Sequence, residues 1–135
     1  VFLCLLRPFL FKEDCEAWVH GPVYQEVYHR YADYRFDPIG KVASFDASIL
    51  TASEQAVFDA VIDSFCCYSG KVLERFTHSE MPWIESRGDL PSSSPSENII
   101  PRESIGSYFA KVKAKYGMVK PGDIQSYAED MFKNL

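Results

Sequence analysis

The nine residues Glu16-Ala17-Trp18-Val19-His20-Gly21-Pro22-Val23-Tyr24 restrict this chain more than any other stretch. They set a large aromatic beside a glycine–proline break that neither a continuous helix nor a central strand accommodates. Proline at a first helical position is pre-set in φ and lacks only an N–H that would be unpaired there anyway, so the pattern predicts a helix starting at Pro22. Apolar residues then recur at Val23, Val27, Tyr28, Tyr31 and Tyr34, a helical face that Asp37-Pro38 and Gly40 bring to an end. Ahead of it, Phe9-Leu10-Phe11 and Cys15-Glu16-Ala17-Trp18 flank the charged Lys12-Glu13-Asp14, which predicts a small β-hairpin before Gly21. Residues 1–7 read as the last turns of a helix that Pro8 stops.

Downstream, Ile39, Val42, Phe45 and Ile49-Leu50 are isolated anchors. Thr51-Ala52-Ser53-Glu54 is a capping box, in which the hydroxyl caps a free N–H and the glutamate reaches back. The helix it opens carries Val57, Phe58, Val61, Ile62 and Phe65 on one face and stops near Tyr68-Ser69-Gly70. Ser69 caps a further helix with Val72, Leu73 and Phe76 inward. Residues 87–98, rich in serine and proline without apolar period, predict an exposed, mobile loop. Ile99-Ile100-Pro101 opens a helix with Ile105, Tyr108, Phe109 and Val112 as its stripe, ended by Gly117. Pro121-Gly122-Asp123 starts a last one, with Ile124, Tyr127, Ala128, Met131 and Phe132 on one face. The expected fold is mainly α, a compact domain of about five helices with a small β-hairpin near the N-terminus. Residues 1–116 form the helical domain and 117–135 a C-terminal helical tail. Its core is expected to hold Trp18, Val23, Val27, Phe58, Val61, Ile62, Phe65, Leu73, Phe76, Trp83, Tyr108 and Phe109.

Chemistry is sparse. A net charge of −5 disfavours general binding to nucleic acid, which needs a clustered positive face. The apolar opening Val1–Leu6 is far shorter than a membrane span and has neither the basic flank nor the cleavage site of a signal peptide, so a cytoplasmic, membrane-free protein is expected. The four cysteines, at 4, 15, 66 and 67, have no C-x-x-C spacing and read as reduced thiols. No nucleophile elbow, phosphate-binding glycine loop or supported carboxylate pair is present, and no cofactor is implied. His20, His29 and His78 lack the spacing of a shared ligand face and read as structural or surface residues. The alternative is a cytosolic metal-dependent hydrolase using His20, His78 and Glu80. Trp18 and Trp83 are expected as core anchors with each indole N–H on a backbone carbonyl, unless one edge is exposed as an interface contact. Arg87-Gly88-Asp89 is spelled like a cell-attachment tripeptide, a reading ill suited to a cytosolic chain.

Two segments taken together carry a family likeness: A-W-x-x-G-P-V at 17–23, and T-H-S-E-x-P-W at Thr77 to Trp83. With Pro8, Leu10-Phe11, Val27-Tyr28, the helix start from Leu50 to Glu54, Ile100-Pro101 and Tyr108-Phe109, the chain resembles the Panacea domain family over roughly residues 8–110. That family includes SocA-like antitoxins and phage-associated proteins. The resemblance implies a non-enzymatic antitoxin of a toxin–antitoxin system, which neutralises a partner toxin by direct binding or acts as a proteolytic adaptor delivering it to a cytosolic protease. The residues it marks as motif or partner-binding candidates are Trp18, Gly21, Pro22, Val23, Tyr28, His78, Glu80, Pro82 and Trp83. Family members usually carry one more helix ahead of Pro8. Here only Val1–Leu6 stands for its end, so a homo-oligomer covering that face is expected. Cys15 occupies a position where an apolar residue is usual.

Overall fold

The computed structural model describes residues 12–35, 37–40 and 46–135, without the side chain of Ala47. Expectations placed on residues 1–11, and on Val42 and Phe45, lie outside the described residues. The described chain forms β1 (Cys15–Trp18), β2 (Gly21–Tyr24), α1 (Gln25–Tyr31), α2 (Ala52–Phe65), α3 (Gly70–His78), α4 (Met81–Arg87), β3 (Ile99–Ile100), α5 (Arg102–Lys115) and α6 (Ile124–Lys133), with short 3-10 turns at Ala32–Tyr34, Ala47–Ile49 and Pro121–Asp123. It is mainly helical with a small antiparallel sheet, as the sequence leads one to expect.

The sheet has the order β2-β1-β3. Trp18 pairs with Gly21, so the hairpin turn is Val19-His20 and the hairpin runs through Gly21 instead of ending before it. The helix accordingly starts at Gln25, not at Pro22. Pro22 sits in β2, an edge strand, where a missing N–H breaks no ladder on the open side. β1 is the central strand. Its inward residues are the small Cys15 and Ala17, 3% and 0% exposed, which lets the helices lie close on the sheet. Outward, the Glu16 carboxylate accepts from Trp18 Nε1 and Gln25 Nε2, both at 2.7 Å, and so joins strand to helix start.

The helix starts follow local rules. Thr51 and Glu54 form the expected reciprocal capping box, and Ser69 Oγ accepts from the N–H of Val72. Gly117, at φ 60°, ends α5 in the left-handed region that favours glycine. Two elements were not foreseen. α4 starts with Pro82 in its first turn, and Ile99-Ile100 pairs with β1 before α5 begins at Arg102.

One core joins these elements. Ala17, Phe76, Trp83, Ile105, Phe109, Ile124, Tyr127 and Ala128 all belong to it. Phe76 is its aromatic centre, edge-on to Phe65 at 5.5 Å and to Tyr127 at 5.6 Å, while Phe132 stacks on Tyr68 at 3.6 Å and meets Phe65 at 6.2 Å, which brings α6 against α2. Several expected core residues are not there. Val27 is 40% and Ile62 53% exposed, because α1 buries no residue and α2 turns only part of its apolar face inward. Trp18, Val23 and Phe58 are half-buried, as are Val61, Leu73 and Tyr108, the last three packed against the core.

Candidate functional site

The two sequence motifs meet in space. Helix α4 lies across the hairpin so that two consecutive carbonyls of β1 are each taken by one of its side chains. Arg87 Nη1 donates to the Ala17 carbonyl at 3.0 Å, and Trp83 Nε1 to the Trp18 carbonyl at 2.9 Å. Trp83 and Arg87 are four residues apart on one helix and therefore share a face. The Arg87 guanidinium also lies 5.0 Å from the centre of the Trp83 ring, and the His78 ring stacks on Trp83 at 4.0 Å and 15°.

Gly21 is required by this closeness. Its φ is 122°, and a Cβ built there would come within 2.9 Å of Thr77 Oγ1, whose hydroxyl donates to the Glu74 carbonyl. Pro22 and Val23 continue the edge strand, and Tyr28 meets the Trp18 ring edge-on at 4.9 Å. The Trp83 indole makes the expected bond to a backbone carbonyl. Trp18 does not: its indole N–H goes to Glu16, and its ring stays half-buried.

Burial holds the His78 imidazole below its ordinary pKa, against the opposing pull of the Glu74 charge. Its Nε2 is buried and has no hydrogen-bond partner among the described residues. Glu80, 1% exposed, caps nothing. Its carboxylate turns inward and accepts from Tyr127 Oη at 2.9 Å, and that hydroxyl lies 3.1 Å from Tyr108 Oη. Burial pushes the Glu80 carboxyl up to about 7, with the Tyr127 bond acting in the opposite sense, and the Tyr127 phenol is likewise raised by burial.

The hydrolase triad does not assemble. His20 is exposed in the turn and pairs with Glu74 at 3.3 Å, His78 packs on Trp83, and Glu80 faces Tyr127. Among the described residues no group of three or more His, Cys, Asp or Glu side chains is placed to hold a metal. Cys15 is buried, and Cys66 and Cys67 are exposed and unbridged. Arg87 is no attachment residue. It is 4% exposed, and its Nη2 donates to the carbonyls of Pro91 and Ser94 at 2.9 and 2.7 Å, organising the serine-rich loop around itself. Thr77 opened the second sequence motif without a role assigned to it, and Arg87 went unrecognised in the sequence. The signal for Arg87 was its spacing of four from Trp83, visible only once Pro82 is read as a helix start.

These contacts define a helical domain whose marked residues frame a hairpin rather than surround a reaction centre. The family model of the antitoxin SocA-like, Panacea domain matches residues 8–84, more than half of the chain, and the chain belongs to that family. The match holds both motifs and ends at residue 84, short of the stretch to 110 that the sequence suggested. No curated protein and no solved structure gives a significant match. No helix among the described residues is long and apolar enough to cross a membrane.

Proposed function

We propose that this chain is a non-enzymatic antitoxin that neutralises a partner toxin by direct binding in the cytoplasm. Family membership supports a toxin as partner. The observation that carries the binding reading is the state of α1. None of its residues is buried, and Val27, Tyr28, Tyr31 and the adjoining Tyr34 stand between 38% and 47% exposed. Rigid aromatic side chains grouped on a surface are the usual anchors of protein interfaces. The motif residues beside them are occupied with the hairpin, so they hold this surface in place and the tyrosines meet the partner.

Co-expression with the product of the neighbouring gene tests the reading. The expected result is restored growth and a complex that survives purification. Tyr31→Ala should weaken that complex about tenfold or more with thermal stability kept. A harmless neighbour that forms no complex would contradict the proposal. Delivery to a protease, the finer form of antitoxin action, separates from simple occlusion by the fate of the toxin: its level falls in the first case and holds steady in the second.

A further inference from the structure

A groove of about 680 Å³ opens where α4, α5 and α6 meet. Met81 of α4, Tyr108 and Val112 of α5 and Met131 of α6 give it apolar walls. Ser104, Tyr108, Lys111 and Lys115 recur at helical spacing along it, so it follows α5 for three turns, roughly 16 Å. That length fits a short helix laid side by side with α5. Methionines on both flanks suit such an occupant, since their unbranched side chains re-form around different surfaces.

The charge is specific. On a chain of net charge −5, the α5 wall presents Lys111 and Lys115, while Glu85 of α4 adds one acidic side chain to the lining. Lys115 is paired with Asp130 at 3.6 Å, whereas Lys111 makes no ion pair among the described residues. The floor is fixed, because the Tyr127 hydroxyl that reaches it is bonded inward to Glu80. Nearly all of the groove also lies beyond residue 84, where the family match ends. A surface outside the shared segment is well placed to distinguish one partner from another.

We propose that this groove receives an amphipathic helical segment of the partner toxin, with an acidic side chain flanking its apolar face to meet Lys111. The inference rests on the antitoxin reading above and adds a second contact surface to it. The test measures affinity of the full chain for the neighbouring gene product by calorimetry, using a Lys111→Glu variant, a Ser107→Arg variant that fills the groove, and Lys133→Glu as a control for the charge change alone. Each groove variant should lose about tenfold or more in affinity while keeping wild-type thermal stability, the control should not, and wild-type binding should weaken as salt rises. Undiminished binding by both groove variants overturns the groove assignment and leaves the antitoxin reading standing. Loss of affinity in the control as well overturns it too, since general charge would explain the effect. Self-association of the free chain that the groove variants abolish overturns it in favour of a second copy as occupant. Absence of any wild-type complex overturns both readings together.

Discussion

Gly21 decides whether the hairpin can lie under helix α3. Its backbone is in the left-handed half of φ, and the Thr77 hydroxyl occupies the space where a side chain would begin. Gly21→Ala should therefore destabilise the fold by roughly 2–3 kcal/mol, from backbone strain and contact together. Urea unfolding measures this, and a double-mutant cycle divides it: Thr77→Ala relieves the contact but not the strain, so the two changes should couple by about 1 kcal/mol. Simple additivity would mean that the contact has no energetic weight. The importance of Gly21 was legible in the sequence, because glycine beside proline is strong local punctuation. Its reason was not, since Thr77 lies 56 positions away and only the folded chain brings it near. The same limit hid Arg87. A residue at the head of a serine-rich stretch looks like a loop residue until the carbonyls of Ala17, Pro91 and Ser94 are seen around its guanidinium. Trp83 was read correctly, as an anchor with its N–H on a carbonyl, because a large ring with one donor has few other ways to be buried.

Helix ends were the most legible elements, as their signals are local. Thr51, Ser69 and Gly117 act where their side chains or φ preferences indicate. Pro22 misled because two environments tolerate proline equally well, a first helical turn and an edge strand, and the choice depends on strand order, which no local pattern records. The docking of α6 depends on a subtler element-level contact, the bond from Tyr127 to Glu80 at the start of α4. The Glu80 carboxyl has its pKa raised from 4.5 to about 7, chiefly by burial, so the folded chain favours its neutral form. Its stabilising contribution is complete below about pH 4.5 and is lost as pH rises towards 7. Wild-type stability in urea should fall on the order of 3 kcal/mol more steeply across that interval than the stability of Glu80→Gln, which has no proton to lose. Parallel pH curves for the two proteins would show that the carboxyl does not titrate in the folded state.

At the scale of the whole molecule, the chain divides into a shared frame and the surfaces it supports. The frame is the hairpin gripped by Thr77, Trp83 and Arg87, with His78 stacked on Trp83, within and just beyond the matched segment. The surfaces are the tyrosine face of α1 and the groove along α5. Mainly helical architecture and family were both legible, because periodicity and paired motifs are properties of sequence order. Which apolar residues stay outside was not: Val27 and Ile62 have the spacing of core residues and yet face outward. Periodicity reports a face but not what covers it. The central claim is that inhibition of the toxin comes from occupancy and not from chemistry. Its most direct test is to titrate a fixed amount of the neighbouring toxin with this protein and measure residual toxin activity. The account predicts a linear fall that reaches its end at a fixed stoichiometric ratio, with the two chains recovered in one complex. Complete inactivation by a small fraction of that amount, with no complex recovered, would contradict it and mark the protein as a catalyst.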